Sequence, residues 1–271
     1  MSSQVKTEPP PDECRTKTLP KRAKTRLLSP ALAATAVKVG GQDSSVEKYP
    51  SIVQMEHRDG TYLDRWRFLC GAVLFSERTV ISAAHCVTSP EDGDVMPHNI
   101  RIRAGSSKYE KGGYFVSVRS YKIHPDYDVK SSNADIALLM LWLPLPMTNV
   151  TKPACIAPSG LELPDNLAVQ VAGWGETNFL GLSEVLQAVT VYTVNRDECS
   201  RRYDSIPENI ICARILNGGG KNACEGDSGG SLYMDHMLVG IVSWRPENCA
   251  ELPAGYTKVS AFTDWIKSNA I

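Results

Sequence analysis

The chain has no window of about 18 apolar residues, so no part of it reads as a membrane-spanning helix. It also lacks a charge imbalance. Its 29 Lys and Arg stand against 30 Asp and Glu, a formal net charge of -1, which excludes a broad basic surface and with it nucleic acid or a membrane as the main partner. No Cys-x-x-Cys pair occurs among the eight cysteines, which argues against a zinc-ribbon site. An even number of scattered cysteines points instead to disulfides and an oxidising compartment. No secretory signal starts at Met1; the one weak apolar run, Leu27 to Ala36, comes late, behind basic residues, and is broken by Pro30. Acid is scarce where a calcium loop would need it, since Glu110 is the only carboxylate over residues 104–113. No metal and no cofactor is expected.

What is present is a chain of 271 residues, long enough for one large all-β domain or for two barrels sharing a cleft. Residues 1–37 differ from all that follows: Pro9-Pro10-Pro11, then Lys17, Lys21, Arg22, Lys24 and Arg26, with little to pack. They read as a largely disordered leader or prosegment, and the short basic run as a solvated tail rather than a nuclear signal. From residue 38 short apolar runs alternate with turn residues. They include Ser51–Met55, Val73–Phe75, Ile100–Arg103, Tyr114–Val118 and Ile136–Leu139, and, beyond the connector Pro144-Leu145-Pro146, Ala168–Ala172, Leu186–Val191, Leu238–Val242 and Gly255–Val259. That spacing predicts an all-β protein in two similar halves, about 38–146 and about 147–271. The end, Phe262–Lys267, has helical spacing and predicts one or two turns of helix. No sequence repeat relates the halves.

The stretch Cys224-Glu225-Gly226-Asp227-Ser228-Gly229-Gly230 has the residues of a nucleophile on a tight turn. Glycine allows dihedrals and close backbone approach that other residues forbid, so such a turn can aim the N–H groups of Gly226 and Ser228 at the oxygen of an attacked carbonyl. A serine hydroxyl needs a base, and the base needs an orienting group. Five histidines are available: His57, His85, His98, His124 and His236. His85 stands out, because Ile81-Ser82-Ala83-Ala84-His85-Cys86 sets it after a strand-like run and tethers it by a cysteine. Asp135 in Asn133-Ala134-Asp135-Ile136-Ala137-Leu138-Leu139 places a carboxylate at the mouth of an apolar strand. An acid there needs a partner to offset its desolvation, and the imidazole of His85 would serve.

Together, Ser82-Ala83-Ala84-His85-Cys86, Asp135-Ile136-Ala137-Leu138, Gly173-Trp174-Gly175, Gly226-Asp227-Ser228-Gly229-Gly230 and Ser243-Trp244 resemble the trypsin and chymotrypsin family of serine endopeptidases, in that family's order, over residues 38–271. The resemblance implies two six-stranded antiparallel barrels with the active site in the cleft between them and a short C-terminal helix. It implies His85, Asp135 and Ser228 as catalytic residues, with Gly226 and Ser228 as the oxyanion hole. It further implies disulfides Cys70–Cys86, Cys199–Cys212 and Cys224–Cys249. Cys155 resembles the position where chymotrypsin-type members hold a cleaved leader, which pairs it with Cys14.

Two places depart from the family pattern. Activation would free an N-terminus that inserts beside Asp227, but the junction reads Ala36-Val37-Lys38-Val39-Gly40-Gly41, with Lys38 where a hydrophobic residue belongs and no basic residue before it. The specificity pocket has Asn222 at its floor where trypsins carry an aspartate, Ala223 beside it, and Ala254 at the back wall. Ser243 and Trp244 line it, and Arg245 replaces a glycine at its mouth. Arg245 has three readings: reaching into the pocket, lying across the mouth toward Glu225, or pointing to solvent. Asn149-Val150-Thr151 is a glycosylation acceptor. The expectation is a secreted, monomeric endopeptidase made as a zymogen and not typically trypsin-like, acting on proteins or peptides and open to protein protease inhibitors. The alternative is a catalytically silent, protease-like binding or regulatory protein.

Overall fold

The computed structural model describes residues 41–58, 65–89, 93–176, 181–201, 203, 206–215, 226–245 and 252–271. The expected leader at 1–37 lies outside them. Six strands build the first half: β1 (Ile52–Arg58), β2 (Trp66–Leu74), β3 (Thr79–Ser82), β4 (Ile100–Ala104), β5 (Tyr114–Ile123) and β6 (Ala137–Leu141). They close into a barrel in the order β1-β2-β3-β6-β5-β4. Six more build the second: β7 (Ala168–Gly173), β8 (Gln187–Val194), β9 (Ile210–Arg214), β10 (Ser231–Met234), β11 (Met237–Trp244) and β12 (Ala254–Lys258). Their order is β7-β8-β9-β12-β11-β10, closed by the pairing of β7 with β10. The two orders are the same, so the halves share one connectivity without sharing a sequence.

The alternation of apolar and polar residues sets the inner and outer faces of the sheets. Ile102 on β4 and Val118 on β5 point into the first barrel and are buried, while Phe115 and Ser117 on β5 point out. Strand β11, Met-Leu-Val-Gly-Ile-Val-Ser-Trp, is buried over Leu238–Ser243 because it has the second barrel on one side and neighbouring segments on the other. The short strand Cys155–Ile156 runs parallel to its start, against Met237 and Leu238. Closure removes the free sheet edges that would otherwise invite aggregation.

After β8, a short helix α1 (Arg196–Ser200) is capped by Asn195, whose side chain accepts from the Asp197 N–H at 2.8 Å. The C-terminal helix α2 (Val259–Asn269) is longer than the expected turn or two, at 11 residues. It buries Val259, Phe262 and Ile266, each worth about 2 kcal/mol of transfer free energy. The chain end then returns to the first barrel: the Ile271 N–H donates to Thr79 Oγ1 at 2.9 Å, and Ser76 Oγ donates to the Ile271 carbonyl at 2.7 Å. Among the described residues no helix is long and apolar enough to cross a membrane.

Candidate active site

His85 sits in a single 3-10 turn, Ala84–Cys86, directly after β3. The Cys70–Cys86 disulfide ties that turn to β2 across 16 residues, a closure worth about 3 kcal/mol in a chain-entropy account. Asp135 precedes β6 and is buried, its side chain 2% exposed against 31% for His85. Asp135 Oδ2 accepts from His85 Nδ1 at 2.8 Å, and Oδ1 accepts from the His85 backbone N–H at 3.0 Å. Ser243 Oγ donates to Oδ2 at 2.6 Å, and Thr257 Oγ1 donates to the Asp135 carbonyl at 2.8 Å. Three donors therefore offset the desolvation of one carboxylate. With Nδ1–H turned to the acid, Nε2 carries the lone pair and faces away from it.

The loop before Asp135 is strained for this purpose. Ser132 and Ala134 take left-handed φ of 55° and 51°, and Ala134 is fully buried. Each costs about 1 kcal/mol or more for a residue with a Cβ. The turn aims Asp135 across the gap between β3 and β6, the pair that carries His85 and Asp135 at their adjoining ends.

Ser228 lies on the turn 226–230, where Gly226 and Gly229 have φ of 89° and 73°. The turn is gripped by both barrels. The Gly71 N–H of β2 donates to the Ser228 carbonyl at 2.8 Å, and the Gly229 N–H donates to Val242 O at 2.9 Å. A Cβ on Gly229 would come within 2.3 Å of Ser82 Oγ and 2.4 Å of Gly71 O, so only glycine fits. Among the described residues, no acceptor takes up the N–H of Gly226 or of Ser228. Asp227 Oδ1 accepts from the Gly175 N–H at 2.9 Å. A Cβ on Gly173 would stand 2.2 Å from Oδ1 and one on Gly175 2.4 Å from Cγ. The two glycines of Gly173-Trp174-Gly175 are thus a slot cut for this carboxylate.

The family model described as Trypsin matches residues 38–266. The chain belongs to the trypsin family. A trypsin of Phaedon cochleariae is 40% identical over 233 residues, 84% of this chain and 86% of that one. Alkaline trypsin A of Manduca sexta is 35% identical over 241 residues, 86% of this chain and 90% of the relative. Human heparin binding protein, at 24% identity, superposes with a TM-score of 0.72 over 85% of this chain and 95% of its own, and so shares the fold. As a trypsin-family member the chain is a serine endopeptidase, a hydrolase that acts on protein substrates.

The trypsin-family reading of the remaining residues divides in two. Cys70–Cys86 and Cys199–Cys212 are formed, and Cys155 is disulfide-bonded to a partner outside the described residues. The sulfurs of Cys70 and Cys86 lie near His85 Nε2, but joined to each other they offer no thiolate to a metal ion. Ser243 and Trp244 end β11, Arg245 follows exposed, and Ala254 is buried at the start of β12. Asn149 is exposed on the turn bridged by Thr148 and Thr151. Asn222, Ala223, Glu225, Lys38, Val39, Cys14, Cys224 and Cys249 lie outside the described residues.

Several site residues escaped the sequence reading. Thr257 and Gly71 hold Asp135 and Ser228 from far along the chain, and Ser243, expected as a pocket residue, holds Asp135 as well. Gly255 is the cross-strand partner of Trp244 at a β-bulge, and the indole occupies the place of its missing side chain. Tyr203 packs edge-on against that indole at 4.5 Å and donates its hydroxyl to Pro253 O at 2.6 Å.

Proposed function

We propose that Ser228 is the nucleophile, His85 the general base and acid, and Asp135 the group that orients His85 and stabilises its charged form. The observation that supports this most directly is the pair of hydrogen bonds that the Asp135 carboxylate accepts from the ring and the backbone of His85. Ser228 Oγ attacks the peptide carbonyl while its proton passes to His85 Nε2. The Gly226 and Ser228 N–H groups receive the resulting oxyanion. Collapse expels the amine, which takes the proton from His85 and leaves an acyl group on Ser228. A water, deprotonated by His85, then attacks the ester, and the returning proton restores Ser228. The imidazolium formed twice in each cycle is stabilised by the buried charge of Asp135.

The chain is read further as a secreted, monomeric zymogen with a leader held by Cys14–Cys155, and as an Asn149 glycoprotein. Supporting the zymogen reading is the seat of Asp227 against Gly173 and Gly175, the position where the family receives a new N-terminus. Lys38 is a poor group to insert there, because burying its charge costs several kcal/mol unless it is paired. The relatives bear the name trypsin, yet Asn222 in place of an aspartate removes the counter-charge for Arg or Lys substrates, and buried Ala254 narrows the back wall. Specificity is accordingly assigned to side chains other than Arg and Lys.

Hydrolysis of a casein substrate by processed wild type and by Ser228→Ala tests the roles. The substitution should remove on the order of 10⁶ of turnover; residual turnover within tenfold of wild type would place the nucleophile elsewhere. A peptide library scored for the residue before the cut tests specificity, and efficient cutting after Arg would overturn the pocket argument.

A further inference from the structure

We propose that the outer face of the first barrel is a docking site for a protein segment in which carboxylates are interleaved with aliphatic or aromatic side chains. The face is built by β2, β4, β5 and the end of β6. Arg101 on β4 lies between two rings, its guanidinium carbon 4.4 Å from the Trp66 ring and 4.2 Å from that of Phe115. Arg58 stands 5.4 Å from the outer part of the same stack at Trp66. Arg119, exposed at a bulge in the β5–β6 ladder, lies 5.6 Å from the Trp142 ring. The two stacks are linked through the backbone. Ser117 opposes Arg101 in the β4–β5 ladder, and its carbonyl accepts from the Trp142 N–H at 3.1 Å.

The stripe is exposed where soluble proteins bury such groups: Phe115 is 56%, Trp142 58% and Leu143 65% exposed. Among the described residues its charge is in excess as well. Arg101 and Arg103, whose side chains are 13% and 10% exposed, share the single carboxylate of Glu56 and so keep one net positive charge beside the rings. Among the described residues Arg119 forms no ion pair. Guanidiniums packed against rings are preorganised at low entropic cost, and Trp and Arg are the side chains that dominate binding hot spots. Charge complementarity therefore calls for an anionic partner. A sulfated polysaccharide would meet the arginines but leave Leu143 and Phe115 uncovered, whereas an acidic peptide with apolar side chains satisfies both halves of the surface.

The location gives the docking a use. Trp142 lies beyond the far end of β6 from Asp135, roughly 20 Å away at the rise of a strand. A segment bound there stays clear of the cleft and raises the local concentration of the rest of its chain. This surface stands independently of the catalytic assignments.

The probe is a fluorescein-labelled random copolymer of Glu and Tyr, titrated into the processed chain carrying Ser228→Ala so that it is not cut. Binding should be seen at low salt, weaken as salt rises, and fall at least tenfold when Arg119→Glu and Trp142→Ala are added. The same two exposed substitutions in the active chain should leave kcat/KM for a short peptide within twofold of wild type. Absence of binding by the parent, equal binding by the double variant, or an equal loss of short-peptide cleavage overturns the proposal. Heparin binding tighter than the copolymer and indifferent to Trp142→Ala overturns it in favour of a polysaccharide site.

Discussion

Ser243 Oγ donates to Asp135 Oδ2 at 2.6 Å across 108 residues of sequence. The same oxygen receives His85 Nδ1, so the hydroxyl fixes the carboxylate that fixes the ring. Asp135→Asn should lower kcat about 10⁴-fold, the scale known in this family for an imidazole held in the wrong tautomer. Ser243→Ala should cost only about tenfold, the worth of one hydrogen bond to a charged group at roughly 1.5 kcal/mol. Steady-state kinetics of the two variants on one peptide check the ranking; a Ser243→Ala loss as large as that of Asp135→Asn would contradict it.

Trp244 lies where a side chain on Gly255 would be, with Cε2 only 2.0 Å from the position of a Cβ. Gly255→Val must displace the indole. We expect a stability loss of about 1–3 kcal/mol, as for other overpacked sites, together with a shifted tryptophan emission and a raised KM for long peptides. Urea unfolding and fluorescence are the measurements, and an unchanged emission spectrum would show that the indole is seated by something else.

The buried Glu56 bonds Arg101 Nε and Arg103 Nε. Glu56→Gln keeps the volume but leaves two guanidiniums facing a neutral amide inside the barrel wall. The expected destabilisation is about 3–5 kcal/mol, because the cost is that of uncompensated buried charge. A loss below 1 kcal/mol in urea unfolding would mean that water already reaches the site.

His124 packs against Phe262 and Trp265 of α2, with ring centroids 4.9 Å and 4.8 Å away. Burial lowers its pKa below the ordinary 6.5, outweighing the opposite pull of Asp126. The unfolded chain then takes up the proton first on acidification. The stability due to neutral His124 is complete above about pH 6.5 and is lost as the pH falls from there toward the folded-state pKa, at no more than about 1.4 kcal/mol per pH unit. Melting curves at pH 7.5 and pH 5 should show a smaller acid loss for His124→Gln than for wild type; equal losses would remove His124 from the account.

The chemistry of this chain was more legible than its supports. His85, Asp135 and Ser228 stand in short local patterns, and the apolar runs over Ile100–Arg103 or Leu238–Val242 announce strands by themselves. Strands β9 and β10 were not singled out, since Ser231–Met234 is four residues long and follows a glycine turn at once. Helix α2 begins at Val259, read as a strand end because a β-branched residue closes the run Gly-Tyr-Thr-Lys-Val, while tertiary packing of Phe262 and Ile266 decides otherwise. Ser243, Thr257 and Gly71 reach their partners from more than a hundred residues away, and no local periodicity reports such a contact.

The central claim is that Ser228 is a nucleophile activated by His85. The most direct test is peptide mapping by mass spectrometry after treatment of the processed chain with a fluorophosphonate. The account predicts one adduct per chain, on the peptide carrying Ser228, and none after His85→Ala or Ser228→Ala. An adduct on another residue, or undiminished labelling of the His85→Ala chain, would contradict it.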